Sequence, residues 1–147
     1  MPDFPTAVLL DANVYIAAIR TPRRPTDYLQ LLIRLLKGEF RLVGNDLLAT
    51  EYLRYAQVFP SALSVSLASA ILDRMDVIAV EDRFVRTCSA YVRPPDLADI
   101  VHAATCLKTG AILVSNDKDF DPITRAKVID RLTVTEAIRQ WVGTAHR

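Results

Sequence analysis

The 147-residue sequence predicts one α/β domain, over residues 1–147, with a mainly parallel sheet of four or five strands. Short runs of β-branched and aliphatic residues alternate with longer stretches of helical periodicity, which is the element order typical of such domains. The hydrophobic fraction of 51% is sufficient for a packed core and too high for a disordered chain. No internal linker is long enough to divide the chain into two domains.

In the first half of the chain, single strands alternate with pairs of helices. Pro22 and Pro25 stop the first helix, and Lys37-Gly38 supplies the cation and the glycine typical of a helix C-terminus. The predicted elements are a strand over 7–10, a helix over 13–19, a helix from Thr26 to about Leu36, a strand over 40–43, a helix from Asn45 or Asp46 to about Phe59, and a helix from Pro60-Ser61 to about Met75.

In the second half, Pro94-Pro95 is the clearest break, and Thr133 with Glu136 has the spacing of a capping box. The predicted elements are a strand over 77–80, a helix over 82–91, a helix capped by Asp96 that runs to about Lys108 and stops at Gly110, a strand over 112–115, a short edge strand over 127–129, and a last helix through Trp141.

Two aspartates directly follow predicted strands. Asp11 comes straight after the first strand, and Asp117 comes shortly after the fourth. Ligands of an open α/β sheet bind beyond the carboxyl ends of its strands, so both positions favour a site. Taken singly, each aspartate is as well explained as a turn or helix-cap residue.

Two further acids lie on apolar helices. Glu51 shares a helix face that should pack inward, where an ionised carboxylate without a partner is costly. Asp99 is in the first turn of a helix that is otherwise nearly all apolar. The structural alternatives for Glu51 are a side chain that extends to solvent or an ion pair with Arg54 or Arg20. For Asp99 the alternative is an interaction with the helix N-terminus.

Together these four acids predict a metal site. A βαβ topology brings the ends of the first and fourth strands close together, and four carboxylates would repel one another without cations. No histidine or cysteine is among them, so Mg²⁺ or Mn²⁺ is the expected ion. Two such ions can activate water and stabilise the leaving oxygen of a phosphodiester, which is the chemistry of a metal-dependent nuclease.

Four blocks of sequence occur in a fixed order over almost the whole chain. The first is an apolar strand followed by Asp11-Ala12-Asn13, and the second is Thr50-Glu51-Tyr52-Leu53. The third, Asp96-Leu97-Ala98-Asp99, opens an alanine-rich helix, and the fourth, Ser115-Asn116-Asp117-Lys118-Asp119-Phe120, follows a strand. In these blocks the chain resembles the PIN domain family, and within it the VapC-type ribonuclease toxins.

The resemblance implies a PIN-like three-layer α/β/α domain with Mg²⁺- or Mn²⁺-dependent endoribonuclease activity. It implies that Asp11, Glu51, Asp99 and Asp117 are the catalytic, metal-binding acids, that Asp119 assists them, and that Asn13 and Ser115 hold the carboxylates in place. From position alone, Asp96 is interpreted as the helix cap, Asp121 as a loop residue and His102 as a packing residue without a role in proton transfer.

The resemblance also implies partners. They are an RNA substrate, a small antitoxin protein that covers or enters the acidic site, and a second copy of the chain in a homodimer. Arg20, Arg23 and Arg24 follow the first block in a proline-restricted loop and are the candidates for binding RNA phosphates. A second arginine-rich stretch, with Arg83, Arg86 and Arg93, matches no family motif, and solvated surface charge is its simpler explanation.

Several classes of protein are disfavoured. With 18 basic and 17 acidic residues the chain has no strongly basic coat for nucleic acid, and its two cysteines form neither a zinc motif nor a disulfide framework. No apolar run approaches the roughly 18 residues of a membrane span, and no leader is evident, so we expect a cytoplasmic protein.

Three alternatives to a toxin remain open at this stage. One is a nuclease of RNA maturation or decay that has no antitoxin. Another is a Mg²⁺-binding phosphoacceptor domain, although the chain lacks the expected lysine after a late strand. The last is an inactive PIN scaffold, which the presence of all four acids disfavours.

Overall fold

The computed structural model describes residues 6–20, 27–92 and 95–143. Its centre is a five-stranded sheet in which every pair of neighbouring strands is parallel, in the order β3-β2-β1-β4-β5. The strands are β1 Thr6–Leu10, β2 Phe40–Gly44, β3 Met75–Val77, β4 Ile112–Val114 and β5 Asp130–Leu132. The predicted fold class is therefore confirmed.

The connections between the strands are helical. The helices are α1 Ala12–Ile19, α2 Asp27–Leu35, α3 Asp46–Val58, α4 Ala62–Arg74, α5 Asp82–Ser89, α6 Leu97–Thr109, α7 Asp121–Arg125 and α8 Val134–Ala137, with a 3₁₀ turn at Lys118–Phe120 and a π-helical turn at Ile138–Val142. Right-handed crossovers place α1 to α4 on one face of this sheet and α5 to α7 on the other. The strand order reverses at β1, so the carboxyl ends of β1 and β4 form the crevice where α/β folds bind ligands.

Local sequence signals set the helix boundaries. Asn45 and Asp96 cap α3 and α6 by accepting hydrogen bonds from backbone N–H groups three residues on, and Thr133 forms the predicted capping box with Glu136. Gly110 ends α6 with a φ of 74°, a left-handed conformation that a residue with a Cβ adopts only with strain. These caps fix where the loops around the sheet's carboxyl edge begin.

The core lies on both sides of the two central strands. Val8 and Leu9 of β1 and Leu113 of β4 are completely buried, as expected for parallel strands covered by helices on both faces. On one side Tyr15 and Tyr52 pack edge to face with ring centroids 5.3 Å apart. The carboxyl edge of the sheet is thus supported by rigid packing.

Three predictions of local structure are wrong. The edge strand predicted at 127–129 lies instead at Asp130–Leu132, because Lys127 adopts a positive φ of 60° in the preceding turn. The strand predicted at 77–80 is Met75–Val77, which starts where α4 ends and pairs with β2. Asp121, predicted in a loop, begins α7 and forms an ion pair with Arg131.

Some predicted features cannot be compared with the structure. Thr26, Pro22 and Pro25 lie outside the described residues, as does Pro94 of the predicted break. Within the described part, no helix is long and apolar enough to cross a membrane.

Candidate active site: a cluster of acidic side chains

Asp11 lies at the carboxyl end of β1 and is buried. The Ser115 hydroxyl donates a hydrogen bond of 2.6 Å to its Oδ2, and the Asn13 backbone N–H donates one of 3.2 Å to its Oδ1. Burial raises the pKa of the Asp11 carboxyl, and these two hydrogen bonds oppose that rise. The side chain is therefore held in one orientation in a poorly solvated place.

The backbone beneath Asp11 is fastened to α3. The buried hydroxyl of Tyr52 donates a 2.9 Å hydrogen bond to the carbonyl oxygen of Leu10, the last residue of β1. Tyr52 is the residue after Glu51, so this contact fixes the helix that carries Glu51 relative to the strand that carries Asp11.

Glu51 does not pair with the arginines considered as its partners. Its Oε1 lies 2.8 Å from Nε2 of His102, a residue of α6 that is only 2% exposed. His102 is one helical turn beyond Asp99, so one face of α6 carries a candidate acid and the group that orients another. His102 is a buried residue with satisfied hydrogen bonds, as predicted, but its partner is an acid of the cluster.

Asn45 determines which nitrogen of His102 carries the proton. The Leu48 backbone N–H donates to Oδ1 of Asn45 (2.9 Å), so the opposite atom is the amide nitrogen Nδ2. This nitrogen lies 3.0 Å from Nδ1 of His102 and 3.0 Å from the Thr105 hydroxyl. Because Nδ2 can only donate, Nδ1 of His102 accepts, and its Nε2–H donates to Glu51.

Asp99 stands in the first turn of α6, where its backbone N–H is capped by Asp96 (3.0 Å). Its pKa is raised to about 7, first by burial and then by the negative charges of Asp96, Asp117 and Asp11. Burial and the neighbouring carboxylates together make this aspartate resist ionisation.

Asp117 and Asp119 complete the cluster from the turn after β4. One carboxylate oxygen from each lies within 4.8 Å of the others and of one from Asp99. The Asp117 backbone N–H donates to the Ser115 hydroxyl (3.0 Å), and the Asp119 backbone N–H donates to Oδ1 of Asp117 (2.9 Å). Ser115 therefore connects the ends of β1 and β4.

The four predicted acids lie in one electrostatic neighbourhood. The negative charge of Glu51 raises the pKa of Asp11, and the charges of Asp11 and Asp117 raise the pKa of Asp99. These side chains come from β1, α3, α6 and the end of β4, so the tertiary fold alone brings them together. The donors that they offer are oxygens, which suits Mg²⁺ or Mn²⁺ better than zinc or copper.

The remaining predicted residues lie around this cluster. Asn13 is exposed and acts on Asp11 through its backbone, while its side chain lines a cavity next to Asp117. Arg20 is exposed at the end of α1, with its guanidinium 5.8 Å from the centre of the Phe59 ring. Arg23 and Arg24 are outside the described residues, so the proposed arginine group is described only at Arg20.

The structure adds residues that the sequence analysis missed, namely Asn45, Tyr52 and the link from His102 to Glu51. The spacing of Asp99 and His102, three residues apart, was the one local signal for His102. Asn45 was predicted only as a possible helix cap, and no local pattern indicates that it or Tyr52 supports the site, because their partners are 57 and 42 residues away along the chain.

Comparison with known proteins identifies the family and the fold. Residues 8–126 match the family model of the PIN domain, and no curated protein matches the chain. One similar chain comes from the crystal structure of VapBC2 from Rickettsia felis bound to a DNA fragment from their promoter. It has a TM-score of 0.62 and 17% identity, and the match covers 87% of this chain and 98% of that one. A chain of VapBC-1 from nontypeable Haemophilus influenzae has a TM-score of 0.59 and 20% identity, with coverage of 88% and 99%. The family match spans well over half of the sequence, and the chain belongs to the PIN domain family.

Proposed function

We propose that the protein is a metal-dependent endoribonuclease that hydrolyses RNA phosphodiester bonds. The observation that carries this proposal is the convergence of acidic side chains at the carboxyl edge of the sheet, with the Asp99 pKa raised to about 7. Carboxylates packed this closely with few hydrogen-bond donors are destabilising unless a cation neutralises them. Membership of the PIN domain family supports a hydrolase that acts on nucleic acid.

The acids fit a divalent metal ion. Asp99, Asp117 and Asp119 would hold it, since each offers a carboxylate oxygen within 4.8 Å of the others. The proposal adds Asp11 and Glu51 as further ligands, because their charges act on the same group of acids. A bound Mg²⁺ or Mn²⁺ would supply a water of lowered pKa and would neutralise charge on the phosphodiester in the transition state.

The chain's own residues prepare this site. Ser115 fixes Asp11, and His102 fixes Glu51 through its Nε2–H, so that both carboxylates are oriented before any ligand arrives. Asp99 gives up its proton more readily when a cation is present, because the repulsion from Asp117 and Asp11 is then offset. Proton release would therefore be coupled to metal uptake.

RNA binding needs positive charge around the acidic centre. We propose that Arg20, Arg23 and Arg24 bind phosphates of the RNA backbone; the exposure of Arg20 supports this. Each phosphate contact adds a salt-dependent contribution to binding. Replacing all three with alanine should weaken RNA binding and make the affinity less dependent on salt concentration. An unchanged salt dependence would show that these arginines do not bind the RNA.

We further propose that the protein is the toxin of a toxin–antitoxin pair in the cytoplasm. The similarity to chains of two VapBC structures supports this. A small antitoxin and a second copy of the chain are the proposed protein partners. Exposed apolar side chains that such partners would cover are Ile33, Leu47, Leu53, Val58, Val65, Val77 and Leu97.

The deciding experiment is a cleavage assay on purified protein. Labelled single-stranded RNA and DNA of the same sequence are incubated with wild type and with Asp11→Asn, in Mg²⁺, in Mn²⁺ and in EDTA. We expect RNA cleavage by the wild type in metal only, and none by Asp11→Asn. Cleavage that persists in EDTA or in the variant would contradict the proposal.

The toxin role is tested separately. A short reading frame next to the gene is co-expressed with the protein, and growth and RNA cleavage are measured. A co-expressed product that inhibits RNA cleavage and restores growth supports a toxin. Activity that no neighbouring product inhibits favours the alternative of an RNA-processing nuclease.

A further inference from the structure

A cavity of about 290 Å³ opens directly beside the acidic cluster. It is lined by residues of α1, the start of α2 and the turn after β4: Asn13, Val14, Ala17, Tyr28, Asn116 and Asp117. Asp117 belongs to both the cavity and the cluster. The volume of the cavity lies at the lower end of the range found for ligand pockets. A cavity of this size can hold one small planar group but not a folded helix of RNA.

The cavity combines apolar side chains with polar ones whose orientation is fixed. Asn116 accepts a 2.8 Å hydrogen bond from the Val134 backbone N–H through Oδ1, so its amide nitrogen lies on the opposite side. That nitrogen donates to the Tyr28 hydroxyl at 3.0 Å. One N–H of Asn116 is thus used, and the other is left to donate.

The Tyr28 hydroxyl is oriented by the same contact. It accepts from Asn116, so its own O–H points elsewhere, and no acceptor for that proton exists among the residues described. The Asn13 side-chain amide likewise has no hydrogen-bond partner in the described ranges. The cavity therefore presents two fixed donors, one adaptable amide and an aromatic ring.

We propose that this cavity binds one nucleobase of the RNA strand next to the scissile phosphate, and that it prefers guanine and uracil, which carry a carbonyl at purine O6 or pyrimidine O4, over adenine and cytosine, which carry an amino group at the corresponding position. The proposal rests on the proposed ribonuclease function. Guanine and uracil present a carbonyl acceptor where adenine and cytosine present an amino donor. Two fixed donors, from Tyr28 and Asn116, match the carbonyl and repel the amino group.

The ring of Tyr28 and the apolar side chains of Val14 and Ala17 provide apolar surface against which the flat face of a base can pack. Proteins that bind single-stranded RNA stack unpaired bases on aromatic rings and read their edges with hydrogen bonds. Tyr28 is partly buried at the cavity wall and supplies both features. The acids then lie beside the sugar-phosphate of the same nucleotide.

The first test measures base preference. A pool of RNAs randomised around one position is cleaved, and the products are sequenced to give a relative kcat/KM for each base. For wild type we expect guanine and uracil to exceed adenine and cytosine at one position flanking the cut. Tyr28→Phe removes the donor but keeps the ring, and should reduce that ratio by about 3- to 10-fold, the range for one neutral hydrogen bond. Tyr55→Phe removes another partly exposed hydroxyl, on α3, and should leave the ratio unchanged.

A second variant tests the direction of the preference. Asn116→Asp keeps the oxygen that accepts the hydrogen bond from the Val134 N–H but replaces the amide donors with an acceptor. This new acceptor would also accept a hydrogen bond from the Tyr28 hydroxyl, which would then no longer be free to donate to a base. We expect the ratio to reverse, so that adenine and cytosine become the better bases. A preference that is the same in wild type, Tyr28→Phe and Asn116→Asp would overturn the proposal.

A binding measurement separates failure of this proposal from failure of the nuclease function. GMP, UMP, AMP and CMP are titrated without metal, and the side-chain amide signals of Asn13 and Asn116 are followed by NMR. GMP and UMP should shift both signals at lower concentrations than AMP and CMP, in wild type but not in Tyr28→Ala. If wild type cleaves RNA but the four nucleotides shift neither amide, the subsite is wrong and the nuclease stands. If the amides respond as expected but no RNA is cleaved, the subsite stands and the nuclease is wrong.

Discussion

The two halves of the acidic cluster are held in different ways. The inner acids, Asp11 and Glu51, each receive a hydrogen bond from a buried side chain, Ser115 or His102. The outer acids, Asp99, Asp117 and Asp119, receive no hydrogen bond from another side chain within the described ranges and lie within 4.8 Å of one another.

This difference shows that the positions of the inner acids and the ionisation of the outer acids are controlled by different interactions. The inner acids are placed by the fold itself, because their partners are buried and rigid. The outer acids are crowded, and burial together with the repulsion between these acids raises the pKa of Asp99 in the metal-free fold. We therefore expect changes in the outer acids to relieve strain while abolishing function, and changes around the inner acids to loosen the site.

The largest effect is expected for Asp99→Asn. RNA cleavage should fall by more than 100-fold, since loss of a metal ligand should exceed the 10- to 100-fold effect typical of a residue that only supports one. The metal-free variant should nevertheless be more stable than wild type at pH 8, because the substitution removes a crowded charge. Activity assays and urea unfolding in EDTA measure the two effects.

Asp73→Asn is the matched control, since Asp73 is an exposed aspartate of α4. It should change neither cleavage nor stability measurably. An Asp99→Asn protein that cleaves RNA normally would show that Asp99 only stabilises the start of α6.

The next effect concerns the inner acids. His102→Leu removes the donor to Glu51 and leaves Nδ2 of Asn45 without its histidine partner, so affinity for Mn²⁺ should fall by 10- to 100-fold. His102→Gln retains an N–H donor and should recover part of the affinity. Calorimetric titration with Mn²⁺ measures this, and a His102→Leu protein with wild-type affinity would exclude a positioning role.

The stability of the metal-free protein should depend on pH in a predictable direction. Asp99 has a pKa of about 7 in the folded state against 3.8 ordinarily, so the folded state binds more protons between these values. The free energy of unfolding should therefore fall as pH rises from about 4 to about 7. Because Asp99 is only partly buried, we expect a loss of about 1–2 kcal/mol, below the full value for such a shift.

Urea unfolding in EDTA across this pH range tests the expectation. The buried Asp11, whose pKa is also raised, contributes in the same direction. Millimolar Mg²⁺ should stabilise the folded state and increasingly so at higher pH, because it binds the ionised form. A stability that rises with pH in EDTA would contradict the crowding of the outer acids.

The sequence predicted the parts of this molecule that local chemistry encodes. The fold class followed from the alternation of apolar runs, and the caps at Asn45, Asp96 and Thr133 followed from residue type and spacing. The position of Asp11 at a strand end also followed, because a strand that ends in an acid is a local pattern.

The sequence could not predict features that depend on distant partners. The proton position on His102 depends on Asn45, 57 residues earlier, and the cavity depends on Tyr28 meeting Asn116, 88 residues later. The edge strands were misplaced because β3 and β5 each pair with only one neighbour, so this pairing and the preceding segment decide their limits more than composition does.

The smallest effect is expected at Asp96, where two variants distinguish its role as a helix cap from the effect of its negative charge. Asp96 accepts the hydrogen bond that starts α6, and its charge also raises the Asp99 pKa. Asp96→Ala removes both, whereas Asp96→Ser keeps a capping oxygen and removes only the charge. In EDTA the alanine variant should be about 1 kcal/mol less stable than the serine variant at every pH, the usual value of an N-cap. Both variants should show the same reduced pH dependence between about 4 and 7, because each lowers the repulsion on Asp99 equally, and both should cleave RNA. If only the alanine variant lost the pH dependence, the cap and not the charge of Asp96 would control the ionisation of Asp99.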